Sequence, residues 1–389
     1  MGLLEYIRNT EYIRNTVDFM DVIGLLHGFV FGLLLIFRKR RQNQPLIFLG
    51  LYLFSVGCNF LPALLNQLSI SDEFSWLKFF PIRFHFLTDP LLYCYVWKLA
   101  MGKEAKVEKR HFVPGAIEFI VLLVLFVFPT ELKNDLYNHV YYEEIYRVYN
   151  VSAGIFSIYY LLRILKLVNT YHGQVNNFFV NVDGKLLIWV KKLVFASLFI
   201  IGVGITFSIT PLVFDLSGNY FIVAFGVYFL MNVFQLIMIY WVSIQGIRQA
   251  YSPLVFYREM DELKNSPEVK VSLTEVIDEQ FELIYAHILV EIERTQCFKN
   301  TNLTIMDLGS ILDIHPKKIS RVINSQGQMN FNTFINKFRV EEAKKLLSES
   351  DEARKLSVVG IGKEVGFKSS SAFYRAFKNI EDVTPGRFR

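Results

Sequence analysis

Two triplets of side chains carry the clearest chemical signal in the sequence. Lys317, Ser320 and Arg321 are spaced i, i+3, i+4, and so are Ser371, Tyr374 and Arg375. On a helix that spacing gathers three side chains on one face. A guanidinium there can donate two parallel hydrogen bonds to the O6/N7 edge of guanine, and hydroxyls can bond to several base edges. Arg321 and Arg375 are therefore the candidates for bidentate base contacts, with Lys317, Ser320, Ser371 and Tyr374 beside them. Lys318, Lys368, Ser369 and Lys378 flank the same faces as candidate phosphate contacts. Charge alone would fit a merely solvated face; its recurrence at two matching places favours double-stranded DNA as the partner. From Cys297 onward, sixteen Lys and Arg stand against ten Asp and Glu, a surplus that suits a polyanion.

A second group lies in apolar sequence, where charge is expensive and marks function by default. Arg83, His85 and Asp89 precede Pro90, and Glu118 sits in the next apolar run. Together they form a candidate ligand site for an unidentified small-molecule or membrane signal. The competing reading has Arg83 reaching out to an interface and Asp89 making an interhelical bond. Arg163 and Lys166, nearer a helix end, read as reaching to the interface.

Other chemistry is not indicated. The three cysteines, Cys58, Cys94 and Cys297, form no CxxC pair, and the seven histidines show no ligand spacing. The last apolar run, Tyr220–Ser243, has no lysine for a retinal-type Schiff base. No nucleophile–base pair, metal set or phosphate loop is evident, so neither a cofactor nor an enzymatic activity is expected.

The elements that must position the two triplets are legible. Thr304–Leu312 reads as a short helix with Ile305, Leu308, Ile311 and Leu312 inward. Asp313-Ile314-His315 is a tight turn, and Pro316 opens a second helix, where its missing N–H costs nothing. That helix turns Ile319, Val322 and Ile323 inward. A long helix follows, about Asn332–Ser348. The pattern then repeats: a helix at Val358–Val365, a turn at Gly366-Phe367-Lys368, and a helix at Ser369–Lys378 with Phe373 and Phe377 inward. Gly309 and Gly362 occupy equivalent places in the two first helices. This is helix, short turn, helix, twice.

Phe334-Ile-Asn-Lys-Phe-Arg339-Val-Glu-Glu-Ala343-Lys-Lys-Leu346-Leu347, then Val365-Gly366-Phe367-Lys-Ser369-Ser-Ser-Ala-Phe373-Tyr-Arg375-Ala-Phe377-Lys378, and finally Thr384-Pro385-Gly-Arg-Phe388-Arg389 resemble the AraC/XylS family of bacterial transcription regulators. The resemblance covers about the last ninety residues. It implies two helix-turn-helix units joined by a rigid helix, with recognition helices entering successive major-groove segments. The family usually has Ala at Gly309 and Gly362 and Gly at Asp382, so the turn at Asp382 is expected to be looser here. Arg339 and Glu342 are expected to be internal salt-bridge partners rather than DNA readers.

The rest of the chain is of another kind. The sequence is 52% hydrophobic and 16% aromatic, above the usual soluble range of about 45–50% apolar, and the excess lies before about residue 247. Seven runs approach the ~20 residues needed to span a bilayer: Val17–Phe37, Leu46–Leu65, Phe79–Met101, Phe112–Phe128, Ile145–Val168, Leu193–Phe214 and Tyr220–Ser243. The third and fifth are interrupted by Arg83, Asp89 and Arg163. The first is expected to be a true helix rather than a cleaved leader. A tandem EYIRNT hexapeptide at Glu5–Thr16 precedes it and is assigned no role.

Basic residues cluster in alternate loops: Arg38, Lys39, Arg40 and Arg41; Lys103, Lys106, Lys109 and Arg110; Lys185, Lys191 and Lys192; Arg248. By the positive-inside rule these loops face the cytoplasm, the N-terminus lies outside, and the C-terminal half is cytoplasmic. Beyond Gln249, Leu254–Lys264 is a short amphipathic helix candidate. Ser272-Leu-Thr-Glu275 is a capping box opening a helix that runs to about Thr295. Its stripe of Ile277, Phe281, Ile284, Ile288 and Ile292 fits packing onto the next domain, with a dimer seam as the alternative.

The expected architecture is all-α: a polytopic seven-helix transmembrane domain (1–247), a juxtamembrane helical linker (248–296) and a two-unit AraC-type helix-turn-helix domain (297–389). The expected role is a one-component sensor in the bacterial inner membrane, a sequence-specific transcription regulator whose partners are DNA, lipid, a signal and a second copy as homodimer. Two alternatives differ in class: a transporter or receptor-like protein whose DNA domain senses transport, and a precursor whose soluble half is released by proteolysis near Ser266-Pro267.

Overall fold

A computed structural model of the chain describes residues 3–37, 44–68, 70–102, 105–142, 144–182, 186–213, 219–250, 276–348 and 356–389. Among these residues the elements are helices, and the β-type pairing is one isolated antiparallel bridge between Phe179 and Thr304. The helix expected over Leu254–Lys264 and the capping box at Ser272–Glu275 lie outside the described residues. The chain divides into two compact units, residues 1–168 with 187–253, and residues 169–186 with 254–389.

The first unit contains α1 (Leu3–Phe37), α2 (Gln44–Cys58), α3 (Leu61–Gln67), α4 (His85–Met101), α5 (Val113–Val127), α6 (Thr130–Tyr142), most of α7 (Glu144–Phe178), α8 (Ile188–Val213) and α9 (Asn219–Ala250). Among the described residues, five helical stretches are long and apolar enough to cross a membrane: Phe19–Phe37, Lys109–Val127, Arg147–Phe178, Ile188–Thr206 and Phe229–Arg248. Their apolar side chains are widely exposed, as with Phe199 at 70% and Val127 at 74%, which in water would be a large unpartnered apolar surface.

Two of the seven expected runs form shorter helices. The run 46–65 breaks at Asn59–Phe60 into α2 and α3. Asn59 is used there as a cap: its Oδ1 accepts the Phe84 N–H at 2.8 Å and its Nδ2 donates to the Thr88 hydroxyl at 3.4 Å. The run 79–101 is helical only from His85, since Pro81 and the polar Arg83 stand in the stretch before it.

Helices α1 and α2 approach closely. Gly24, Gly28 and Gly32 recur every fourth residue along α1, the small-residue spacing that lets membrane helices approach. A Cβ on Gly28 would stand 2.5 Å from the Gly57 Cα, and one on Gly32 would stand 2.9 Å from the Gly50 carbonyl oxygen. A Gly28→Leu chain should therefore be destabilised by about 3 kcal/mol or more, the upper end of overpacking penalties. Unfolding in detergent micelles tests this, and an unchanged midpoint would mean that the two backbones do not meet at Gly28.

The second unit contains the end of α7, α10 (Val276–Thr295), α11 (Ile305–Leu312), α12 (Pro316–Gln326), α13 (Phe331–Ser348), α14 (Val358–Glu364), α15 (Ser370–Glu381) and α16 (Pro385–Phe388). Helix α10 buries Ile288 and Ile292 completely and sets Tyr285 against Phe334. The C-terminal part of its apolar stripe, Ile288 and Ile292, is thus packed inward. The C-terminal core joins Val340, Ala343 and Leu347 of α13 to Ile361, Val365, Phe367, Phe373 and Phe377. Each of these aromatic burials contributes roughly 1.5–3 kcal/mol.

Candidate nucleic-acid interface

The first triplet is held by a helix pair whose ends are capped. The Thr304 hydroxyl accepts the Asp307 N–H at 3.2 Å, and Asp307 Oδ2 accepts the Thr304 N–H at 2.8 Å. This capping box starts α11. The chain leaves α11 through Asp313 in the left-handed region (φ 53°), and Ile314 N–H returns to the Gly309 carbonyl at 3.1 Å. Pro316 then begins α12, with His315 Nδ1 accepting the Lys317 N–H at 3.2 Å. Ile319, Val322 and Ile323 are fully buried. Arg321 is exposed, while Lys317, Lys318 and Ser320 are partly exposed. Ile311, expected inside, is 41% exposed: the eight-residue helix packs only Ile305, Leu308 and Leu312 inward.

The second triplet is built the same way. Ser357 caps α14 by accepting the Gly360 N–H at 3.0 Å. Gly366 (φ 98°) takes the place of Asp313, and Phe367 N–H returns to the Gly362 carbonyl at 2.9 Å, as Ile314 does to Gly309. Ser369 caps α15, accepting the Ala372 N–H at 3.3 Å. The second turn is one residue longer than the first, yet Phe373 and Phe377 fall where Ile319 and Ile323 fall in α12. Ser371, Tyr374 and Arg375 then match Lys317, Ser320 and Arg321. Ser371, Arg375, Lys368 and Lys378 are exposed; Ser369 and Tyr374 are partly so. Ser369, a candidate phosphate contact, has its oxygen committed to the helix cap.

Both family departures at glycine have a packing reason. A Cβ on Gly309 would come 2.9 Å from the Ile314 oxygen and from Pro316, and one on Gly362 would come 2.6 Å from the Phe373 ring. Asp382 does adopt the left-handed conformation that suits Gly, with φ 57°. Asp382→Gly should stabilise the end of α15 by about 0.5–1 kcal/mol. Amide hydrogen exchange over Ser370–Glu381 is expected to slow several-fold; faster exchange would mean that the Asp382 side chain is part of the cap.

Arg339 is internal, as expected, but its partners among the described residues are backbone carbonyls and not a carboxylate. It is 2% exposed. Its Nε donates to the Phe298 carbonyl at 2.6 Å, its Nη2 to the Asn300 carbonyl at 2.7 Å, and its guanidinium lies 5.4 Å from the centre of the Phe367 ring. Burial lowers its pKa to about 10, so it stays charged at neutral pH. Glu342 pairs instead with Lys299 at 3.0 Å and Lys345 at 3.7 Å.

A helix-turn-helix domain family matches residues 308–389. The uncharacterized HTH-type transcriptional regulator YtdP of Bacillus subtilis is 28% identical over 89 residues, 23% of this chain and 11% of that protein. The raffinose operon transcriptional regulatory protein RafR of Pediococcus pentosaceus is 31% identical over 90 residues, 23% of this chain and 31% of that protein. The regulatory protein PocR of Salmonella typhimurium is 28% identical over 88 residues, 23% of this chain and 28% of that protein. The C-terminal region is a helix-turn-helix domain of the AraC type. This chain thus covers less than a third of the length of these relatives, and the likeness is confined to the AraC-type domain. No solved structure matches the chain.

One neighbour of the AraC-type domain escaped the sequence reading. The segment 169–186, expected only as the join between two apolar runs, packs within the same unit. Phe178, Phe179 and Val180 are buried. The polar-aromatic string Asn176-Asn177-Phe178-Phe179-Val180-Asn181, ahead of the basic residues of the same loop, was the available signal.

The group Arg83, His85, Asp89 and Glu118 is brought together only in part. Glu118 accepts the backbone N–H groups of His85 (3.2 Å) and Phe86 (3.1 Å) at the start of α4, and the Tyr149 hydroxyl. His85 Nδ1 lies 3.8 Å from the same carboxylate. Arg83, Glu118 and Tyr149 border a cavity of about 490 Å³ whose other walls include Phe80, Phe86, Ile117 and Val121. Asp89 does not border it; its side chain hydrogen-bonds Ser157 on α7.

Proposed function

We propose that the chain is a membrane-embedded, sequence-specific DNA-binding transcription regulator, a one-component sensor of the bacterial inner membrane. The observation that carries this reading is the paired construction of α12 and α15: two capped, matching helices present Arg321 and Arg375 at equivalent exposed positions. In this reading Lys317, Ser320, Arg321, Ser371, Tyr374 and Arg375 face bases, and Lys318, Lys368, Ser369 and Lys378 face phosphates. Domain limits of 1–247, 248–296 and 297–389 go with it.

The membrane reading draws its support from the five long apolar helices. Counting α2 with α3, and α4, as two further spans makes seven, with the N-terminus outside and the DNA-binding domain cytoplasmic. The short helices are tolerable because a break buried among other helices can have its polar groups satisfied, as Asn59 does. The cavity beside Arg83, His85 and Glu118 is the proposed signal site. Its apolar walls and a charged rim suit an amphiphile, with Asp89 bound to Ser157 as a structural tie. For a homodimer, Leu283 and Val290 stand two turns apart on α10, exposed at 70% and 59%.

The test is selection from random duplex DNA by the full chain in lipid nanodiscs. An enriched motif of two blocks about one helical turn apart supports the proposal; binding with no enrichment at any salt concentration would sink it.

A further inference from the structure

The last ten residues of α7, from Asn169, and the chain that follows to Leu186 belong to the same compact unit as the AraC-type domain. Their docking has three independent parts. Phe178, Phe179 and Val180 are 4%, 4% and 3% exposed. Val180 donates its N–H to the Leu303 carbonyl at 3.3 Å, and Phe179 pairs with Thr304 in the antiparallel bridge. Asn332 Nδ2 donates to the Phe179 carbonyl at 3.4 Å and to the Val180 carbonyl. Backbone pairing, a side-chain clasp and apolar burial together describe a seated segment.

The seat lies against both candidate reading helices. Asn177 and Phe178 share a crevice with Lys317 and Ser320 of α12. Val180 and Asn181 share another with Lys368 and Arg375, at the turn before α15 and on it. A major groove is about 12 Å wide and admits one helix. Chain lying beside the reading side chains of such a helix fills space that the groove walls and their phosphates need.

We propose that residues 174–182 are an autoinhibitory strap: seated, they keep the AraC-type domain off DNA, and DNA binding requires their release. The inference rests on the DNA-reading function proposed above. The seat is of a kind that can open. Asn177 Oδ1 and Asn336 Oδ1 are buried without a hydrogen-bond partner among the described residues, a cost that a permanent core avoids. Both ends of the strap continue into helices that are long and apolar enough to span, Arg147–Phe178 and Ile188–Thr206. An axial shift or rotation of either helix would act on the strap through chain continuity. The strap is then the two-state element that a membrane signal and DNA bias in common. Linkage requires that DNA binding weaken strap docking by the same factor that docking weakens DNA binding.

The experiment uses the full chain in lipid nanodiscs and a labelled pool of mixed-sequence duplex DNA at low salt. Wild type is compared with Phe179→Ala/Val180→Ser, which loosens the strap, and with Asn332→Ala, which removes the clasp and leaves the strap sequence intact. Both variants are expected to bind DNA about tenfold tighter or more. Hydrogen exchange on the wild type needs no substitution: amides of residues 175–182 should lose protection as DNA saturates. Equal affinity in all three proteins overturns the strap and leaves the DNA-reading proposal standing, as does undiminished protection of 175–182 in the DNA-bound wild type. Absence of binding in all three overturns the DNA-reading proposal itself.

Discussion

An Arg321→Ala/Arg375→Ala chain should lose sequence-specific DNA binding while keeping its fold. Each guanidinium that makes a bidentate guanine contact is worth about 1–3 kcal/mol of discrimination. The pair should therefore cost ~30-fold in specific affinity at the least, and far more if both contacts are ideal. Non-specific binding should weaken less, with a salt dependence shallower by up to about two charges. Both side chains are exposed and lie on the side of their helices away from the Ile319/Ile323 and Phe373/Phe377 cores, so thermal unfolding should barely move. Loss of specific binding with unchanged stability is the expected pair of results. Unchanged enrichment of the same motif would show that other residues read the bases.

Arg339→Ala should act in the opposite way, through stability. The guanidinium satisfies the carbonyls of Phe298 and Asn300 and lies against Phe367, tying the chain before α11 and the second turn to α13. Truncation removes the Arg339 donor from the buried Phe298 carbonyl and opens a cavity, together worth roughly 2–5 kcal/mol, while the Asn300 carbonyl keeps the Leu303 N–H at 3.2 Å. That is a large share of the ~5–15 kcal/mol that holds a typical domain. Arg339→Lys should rescue little, because one ammonium cannot reproduce two N–H bonds in fixed planar geometry. Hydrogen exchange over Phe331–Ser348 measures both. A lysine variant as protected as the wild type would mean that charge alone, and not the fork, is what this site requires.

The DNA-facing architecture was legible in the sequence because each part of it is local. Thr304, Pro316, Ser357 and Ser369 mark helix starts within one turn. The buried pairs Ile319/Ile323 and Phe373/Phe377 follow from spacing, and the exposed triplets are what remains on the opposite face. What the sequence concealed is non-local. The partner of Arg339 proved to be backbone carbonyls, which carry no sequence signal, and the carboxylate of Glu342 went to Lys299 instead. The docking of Phe178, Phe179 and Val180 joins residues more than a hundred positions apart. The glycine series Gly24, Gly28, Gly32 was readable as a close-packing stripe, but its partners Gly50 and Gly57 were not. Among the charged residues of the apolar runs, residue type alone did not separate Glu118, which caps α4 beside the cavity, from Asp89, which binds Ser157.

In the function proposed above, one intact chain both resides in the membrane and reads specific DNA. The most direct measurement is crosslinking in intact cells, followed by membrane isolation and sequencing of the DNA held by this chain. A limited set of chromosomal fragments is expected in the membrane fraction, carried by the full-length protein and absent with the Arg321→Ala/Arg375→Ala chain. Specific DNA recovered only with a shorter soluble fragment, or a membrane fraction whose DNA is indifferent to those two arginines, would contradict it.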